Sequence, residues 1–260
     1  MDSHQQTTSH VLPTPVIYME SYITIDNLIM PSNNFSDIYQ RIQKHTYLTY
    51  LTNKFQWQEL DIQNIDWLNL GKALSTIPQT KRATISKYIH KWRPTHKKLH
   101  QISHPGIITP TCPICAKEED TDDHCFSCDH WELQQEQLKA LERLRQKLQK
   151  IKTYPIITQT ITSHIYAWMR NIPPRATHFS ISNPLHLQVQ KAITIQNSIG
   201  WDQMVRGRIS KLWTTTQMIY HKERNKNNTR WAQHTIKALW DFGGEVWKKE
   251  TISSMGQQKK

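Results

Sequence analysis

Apolar side chains recur every three or four residues along most of the chain after Ser36, a spacing that predicts a series of amphipathic helices. The most regular run covers residues 131–152 and ends before Pro155. Its predicted inward positions are Trp131, Leu138, Leu141, Leu144, Leu148 and Ile151. Further helices are predicted at about 156–170, 184–199, 201–223 and 229–249. The third of these is predicted to bury Trp201, Met204, Val205, Leu212, Trp213 and Ile219.

The same spacing predicts helices before the cysteine-rich segment. The first begins near Ser36 and continues through Tyr47, Leu48, Leu51 and Phe55. Asp66 is a predicted N-cap for the run that begins at Trp67 and stops at Pro78. Residues 81–91 form the next predicted helix, whose apolar face carries Ile85, Tyr88, Ile89 and Trp92. We therefore expect Trp92 to be a core residue, and the stretch from Pro94 to Cys112 to be a loop.

The first thirty residues have a different pattern, in which β-branched and aromatic residues alternate with prolines. Val16, Tyr18, Tyr22 and Ile25 predict a short β-hairpin or an extended arm. The predicted fold is therefore mainly α, a multi-helix protein with a small zinc finger inserted between helices. Three regions are expected, at 1–60 (arm and first helices), 61–152 (basic helix, finger and amphipathic helix) and 153–260 (C-terminal helices).

The strongest chemical signal is the segment CPICAKEEDTDDHCFSC, which has the spacing C-x2-C-x8-H-x3-C. Zn²⁺ takes four sulfur or nitrogen ligands at tetrahedral corners, and such spacings bring them together. The predicted ligands are Cys112, Cys115, His124 and Cys128. Because all four are protein side chains, the site is expected to be structural and to contribute folding energy.

Two alternatives remain open at this stage. Cys125 and Cys128 form a second C-x2-C pair, which could complete a four-cysteine site and leave His124 free, and His130 is a spare candidate. Cys125 can instead pack as a small buried residue beside Phe126. The acidic side chains of the finger are expected to form a solvated face.

The net charge of +12 is unevenly distributed along the 260 residues. Residues 81–111 carry seven basic and no acidic side chains, whereas residues 112–136 carry one basic and eight acidic ones. A basic stretch next to a finger predicts contact with a polyanion. The predicted phosphate contacts are Lys81, Arg82, Lys87, Lys91, Arg93, Lys97 and Lys98.

Motifs of catalysis and of membrane insertion are missing from the sequence. The pair Asp122 and Asp123 lies inside the finger instead of in a polymerase metal-binding turn, and no phosphate-binding glycine loop or hydrolase motif occurs. The histidines between His90 and His104 lie in a basic stretch and are expected to be solvated. We expect a non-catalytic, intracellular protein, cytoplasmic or nuclear, that is neither secreted nor membrane-spanning.

The block KRATISKYIHKWRPTHKKLHQ, followed by the cysteine segment, resembles the zinc-binding region that follows the polymerase and ribonuclease H parts of retrotransposon reverse transcriptases. The resemblance extends over roughly residues 47–250, although His96 stands where the family commonly has Gly. It implies that Cys112, Cys115, His124 and Cys128 are the ligands, that Cys125 is outside the set, and that the chain is a detached piece of such a protein.

Two functions follow from these observations. The leading hypothesis is a zinc-binding module that contacts RNA or single-stranded DNA through the basic stretch. The alternative is an interaction or structural domain whose apolar helices dock on a polymerase, such as a reverse transcriptase, or on a second copy of the chain.

Overall fold

The computed structural model describes residues 23–25, 28–30, 46–174, 183–223 and 230–257, with side chains from 46 onward except at 223 and 249–257. The chain divides after Phe55 into two compact units. In the first unit, strands β1 (Ile23–Ile25) and β2 (Leu28–Met30) pair antiparallel, and α1 covers residues 46–55. Ile25 lies in the predicted hairpin, whereas Val16, Tyr18, Tyr22 and the predicted helix start at Ser36 lie outside the described residues.

The second unit, from Gln56 onward, is helical, which confirms the predicted fold class. No helix among the described residues is long and apolar enough to cross a membrane. Eleven helices are described in this unit: α2 (Glu59–Asn64), α3 (Trp67–Ser75), α4 (Gln79–Ile89), α5 (His96–Gln101), α6 (His124–Ser127), α7 (Trp131–Lys150), α8 (Pro155–Arg170), α9 (Pro184–Ile199), α10 (Trp201–Met204), α11 (Lys211–Glu223) and α12 (Trp231–Gln257).

Local sequence signals explain where several of these helices begin and end. Asp66 caps α3 as predicted, since its Oδ1 accepts the backbone N–H of Asn69 at 3.1 Å. Pro155 and Pro184 occupy the first positions of α8 and α9. An N–H at this position has no acceptor within the helix, so proline loses no helical hydrogen bond there. Gly200, at φ +105°, ends α9 at the predicted residue.

The prediction that Trp92 is a core residue is wrong. Helix α4 ends at Ile89, and Lys91 adopts a left-handed conformation with φ +54°. The chain therefore turns away before helical spacing can carry Trp92 to the apolar face. Its side chain is 52% exposed and stacks on the ring of His90, with 4.7 Å between centroids.

Other details also differ from the sequence prediction. The expected loop after Pro94 contains α5, because Thr95 Oγ1 accepts the N–H of Lys98 and caps a short helix. The helix expected over 201–223 is broken between α10 and α11, where Gly207 has φ +89°. Its Ile219, which was predicted to be buried, is exposed.

Two predicted inward residues of α7 are exposed as well, namely Leu138 and Trp131. Trp131 is 68% exposed because it is the first residue of the helix. Helical side chains tilt towards the N-terminus, and no preceding turn of α7 lies there for the indole to cover.

One hydrophobic core joins α3, α4 and α6 to the helices from α7 to α12. Its largest fully buried apolar side chains include Trp213, Trp231 and Phe126. Residues on both sides of position 152 belong to this core, so the predicted regions 61–152 and 153–260 share it.

Helix α4 meets α12 at a glycine. Tyr88 Oη donates to the carbonyl of Val205 at 2.9 Å, and burial raises the pKa of this phenol above its usual range. A Cβ added at Gly243 would overlap the Tyr88 ring and its hydroxyl, whereas a Cβ at Gly244 would meet nothing within 4 Å. Gly243 therefore permits the close approach, and Gly244 provides a matched control.

We expect Gly243→Ala to lower the free energy of unfolding by about 1–3 kcal/mol, because it forces a methyl group into occupied space. Gly244→Ala should raise it by up to about 1 kcal/mol, because alanine is the better helix former at an open position. Urea denaturation of both variants measures the difference. Equal effects of the two substitutions would contradict the packing of Tyr88 against α12.

Candidate metal centre

Cys112 and Cys115 lie in a tight turn built by backbone hydrogen bonds. The N–H of Ala116 donates to the carbonyl of Cys112 at 2.9 Å, and the N–H of Ile114 lies 3.4 Å from Cys112 Sγ. Ala116 adopts the left-handed conformation, with φ +54°. Glu118 then closes the turn, because its carbonyl accepts the N–H of Cys112 at 2.7 Å. Both sulfur atoms are held in place by the backbone.

The other two predicted ligands lie on one helical turn, as the spacing indicated. The N–H of Cys128 donates to the carbonyl of His124 at 2.7 Å at the end of α6. The N–H of His124 donates to Thr121 Oγ1 at 3.1 Å, so the first N–H of this turn has a hydrogen-bond acceptor. The two side chains therefore project in the same direction, towards the cysteine turn.

The structure brings Cys112, Cys115, His124 and Cys128 together, with one ligand atom of each lying within 4.8 Å of all the others. Cys115 Sγ and His124 Nε2 are 3.4 Å apart. Tetrahedral zinc, with bonds of about 2.3 Å to sulfur and 2.0 Å to nitrogen, would separate such a pair by about 3.5 Å. The cluster can therefore hold a metal ion, and its donor set is compatible with zinc.

Without a metal, the side chains of the cluster share protons through hydrogen bonds. Hydrogen bonding with Cys128, and then with His124, lowers the pKa of Cys112 to about 3, while the same bond with Cys112 raises the pKa of Cys128. Burial alone would lower the pKa of His124, but hydrogen bonds and charge from Cys112 and Cys115 raise it to about 9. A divalent ion replaces the protons that these groups share, so binding would release protons.

Glu118 supports the site from outside the ligand set. Its Oε2 lies 3.1 Å from His124 Nδ1. A carboxylate on Nδ1 fixes the tautomer and the ring orientation, which leaves Nε2 directed at Cys115 as the metal ligand. This residue was not predicted from the sequence, although its position six residues before the histidine is a local signal.

Cys125 lies outside the cluster and contacts a different set of groups. Its sulfur accepts a hydrogen bond from Arg93 Nη2 at 3.5 Å and lies 3.8 Å from the carbonyl of Asp122. The residue is buried in the main hydrophobic core beside Phe126. The structure therefore groups His124, and neither Cys125 nor His130, with the three other cysteines.

Only part of the acidic set forms the solvated face that we expected, since Glu118, Glu119 and Asp129 are exposed whereas Asp120 and Asp122 are buried. Asp120 and Asp122 are only 4% and 5% exposed. Asp120 Oδ2 accepts the N–H of His96 at 2.6 Å, and burial raises the pKa of this carboxyl. Asp122 Oδ1 pairs with Arg93 Nε at 3.4 Å, and its Oδ2 pairs with Lys98. The finger therefore uses its carboxylates to bind the rest of the unit.

Asp123 links the finger to the C-terminal helices through Arg206. Its Oδ1 pairs with Arg206 Nη2 at 2.6 Å, and its Oδ2 pairs with Lys91 Nζ at 2.6 Å. Burial alone would raise the pKa of the Asp123 carboxyl, but the two cations hold it below its usual range.

The predicted phosphate contacts fall into two groups. Lys81, Arg82 and Lys87 are exposed on α4, where Arg82 also donates to the carbonyls of Ser75 and Ile77. The other four have carboxylate partners in the finger. These pairs are Lys91 with Asp123, Arg93 with Asp122, Lys97 with Glu119, and Lys98 with Asp122.

The prediction that Arg93 contacts phosphate is corrected, because its guanidinium is buried between protein groups. It lies over the ring of Trp247, 4.1 Å from the centroid, and over Tyr88 at 5.0 Å. Its Nη2 donates to the carbonyl of Asp122 at 2.7 Å. A nucleic acid could reach it only by displacing these side chains.

Arg206 and Arg208 are buried residues with structural contacts that sequence reasoning missed. Both are completely buried, and Arg208 Nη1 donates to the carbonyl of Ile89 at 2.8 Å and to Gln203 Oε1 at 2.6 Å. The available signal was Gly207 between two arginines, since a glycine in an apolar helical pattern marks a break. The break turns both guanidinium groups into the interior.

Comparison with protein-family models, with curated proteins and with solved structures found no match for this chain. The resemblance to the zinc-binding region of reverse transcriptases therefore stays a prediction. The function has to be inferred from the chain's own residues and their geometry.

Two buried cysteines allow a matched test of the ligand set. We expect the purified chain to retain one zinc ion per molecule after dialysis, and Cys112→Ala to lose it because a thiolate ligand is removed. Cys125→Ala should retain the ion, since this sulfur contacts Arg93 instead. Elemental analysis gives both stoichiometries. Loss of zinc from Cys125→Ala with retention in His124→Ala would identify the four-cysteine site instead.

Glu118 and Glu119 allow a second matched comparison. We expect Glu118→Gln to weaken zinc affinity by about 10- to 100-fold, because the carboxylate that orients the imidazole is lost. Glu119→Gln should leave the affinity unchanged, since this side chain pairs with Lys97. Competition with a fluorescent chelator measures both constants. A similar affinity for the two variants would show that Glu118 does not position the ligand.

Proposed function

We propose that this chain is a zinc-stabilised module that binds single-stranded nucleic acid and has no catalytic role of its own. We propose further that it is of the kind that follows the polymerase and ribonuclease H parts of retrotransposon reverse transcriptases. The observation that carries the binding function is an exposed basic face on α4 close in sequence to an exposed Trp92. The finger holds this region through its ion pairs.

Zinc is the proposed metal because three thiolates and one imidazole form a soft, tetrahedral donor set. Four protein ligands leave no coordination position for water or substrate. The ion would therefore stabilise the fold of residues 112–128 without taking part in a reaction.

The exposed cations of α4 support contact with phosphate groups. Lys81 and Lys87 are exposed, as is Arg82, although its guanidinium also donates to two backbone carbonyls. The sequence has no acidic residue between Asp66 and Glu118. Within this stretch of sequence, no carboxylate therefore reduces the positive potential of the exposed face of α4. Such a surface attracts a polyanion and makes the affinity depend on salt.

Trp92 favours unpaired bases over a duplex. An exposed indole offers a flat surface on which a base can stack, and stacking of this kind tolerates every base. In this chain the ring is already stacked on His90, so the orientation of its exposed face is fixed. Duplex DNA has no unpaired base to offer to such a surface.

A groove between α7 and α8 supports the second candidate function, docking of a protein. It has a volume of about 560 Å³ and is lined by residues that include Leu138, Leu141, Tyr166 and Ile172. Leu138 and Ile172 are exposed. A polymerase or a second copy of this chain could cover such side chains, and sedimentation of the isolated chain would detect self-association.

Charge reversal at two sites tests the nucleic-acid proposal. We expect the zinc-loaded Lys81→Glu/Lys87→Glu variant to bind an unstructured 20-nucleotide RNA more weakly than the unchanged chain. Its slope of log affinity against log salt should fall by about 1.4, or about 0.7 for each lost contact on a single strand. Fluorescence anisotropy over a salt series measures this slope.

The control variant is Lys191→Glu/Lys211→Glu, which changes the net charge equally at two exposed lysines of α9 and α11. Its affinity should fall less, because these lysines are remote from α4 in sequence and lie on other helices. An equal decrease for both variants would mean that only overall charge matters. That outcome would contradict a binding site on α4.

A further inference from the structure

The acidic segment Glu119–Asp123 occupies cations that would otherwise be available to phosphate. Glu119 Oε2 lies 2.6 Å from Lys97 Nζ, and Asp123 Oδ2 lies 2.6 Å from Lys91 Nζ. Asp122 pairs with Lys98. One short segment therefore neutralises three lysines that sequence analysis assigned to nucleic-acid contact.

These pairs differ in how easily solvent reaches them. The pair of Arg93 with Asp122 is almost completely buried, so it belongs to the core. The side chains of Lys97 and Glu119 are 37% and 53% exposed, and Lys98 is about as accessible as Lys97. A phosphate can approach the outer lysines and compete with the carboxylates, whereas it cannot reach the inner pair.

The segment is also tied to the metal centre. It lies between Cys115 and His124, so both of its flanking ligands would be fixed by a bound ion. The backbone of Asp120 is held as well, since its N–H donates to the carbonyl of Pro110 at 2.9 Å. Anything that loosens the cluster also loosens the position of the carboxylates.

We propose that Glu119–Asp123 acts as an internal competitor of nucleic acid and that the metal holds it in place. With zinc bound, the segment retains Lys91, Lys97 and Lys98, and nucleic acid contacts the exposed face of α4. Loss of zinc releases Lys97 and Lys98 and enlarges the cationic surface, whereas Lys91 keeps its second partner Asp202, whose Oδ2 lies 2.9 Å from the Lys91 Nζ. This regulation rests on the proposed function, because it concerns the same binding surface.

The first test keeps zinc bound and removes one competitor. Glu119→Gln should steepen the salt slope for the 20-nucleotide RNA by about 0.7, because Lys97 becomes one additional phosphate contact on a single strand. The double variant Glu119→Gln/Lys97→Gln should return to the original slope. Glu142→Gln is the matched control, since it removes an equal charge from a surface pair with Arg145 on α7 and should change nothing.

The second test removes zinc from the unchanged chain with a chelator and then restores it. The salt slope should steepen by up to about 1.4 on removal, because Lys97 and Lys98 are released, and should recover on addition of zinc. Circular dichroism reports whether the helices persist without the ion. A metal-free chain that unfolds, or one that keeps its helices with an unchanged slope, would overturn the role of the metal, and Glu119→Gln tests the competitor separately.

The outcomes separate this proposal from the binding site on α4. An unchanged slope in Glu119→Gln, in a chain whose α4 variant binds more weakly, would overturn the competitor and leave the binding site intact. A steeper slope in Glu119→Gln, with no effect of the α4 variant, would support the competitor and place the contacts elsewhere. Absence of binding by every form would overturn both.

Discussion

The buried ion pairs between the finger and the helical core determine how the second unit is assembled. Arg206 is completely buried, and the carboxylate of Asp123 supplies its charged partner. A buried guanidinium left without its partner destabilises a protein by about 3–5 kcal/mol. The need to pair the buried charge of Arg206, in the C-terminal half, therefore favours the observed position of the finger. The finger is part of the core, and Phe126 of α6 packs against Trp168 and Phe242.

This arrangement couples the metal centre to distant helices. Arg93 contacts Asp122 in the finger and lies over Trp247 of α12, so it bridges the two ends of the unit. Zinc binding would fix the segment that carries Asp122 and Asp123, and so also the partners of both arginines. Binding energy at a structural metal site is folding energy. In this chain a bound ion would stabilise α12 as well as the seventeen residues from Cys112 to Cys128.

Local signals allowed much of the fold and the ligand set to be predicted. The cap at Asp66, the helix predicted at about 184–199 and the clustering of Cys112, Cys115, His124 and Cys128 depend on neighbours in sequence, and each of these predictions agrees with the structure. The prediction for Trp92 was wrong because the spacing of apolar residues does not show where a helix ends when no cap residue marks that end. The ion pairs were missed because Asp123 and Arg206 are far apart in sequence, and a run of charge does not identify its partners.

The position of a charge in the sequence therefore does not show whether that charge is accessible in the folded chain. The basic stretch 81–111 and the acidic stretch 112–136 look like separate surfaces in sequence, yet four of their residues pair across the finger. Net charge attracts a polyanion at long range, whereas contact requires a cation that a phosphate can reach. Arg93 fails that requirement and Lys81 meets it. On the proposed function, the carboxylates of the finger would decide which cations a nucleic acid can reach, and a bound metal ion would hold those carboxylates in place.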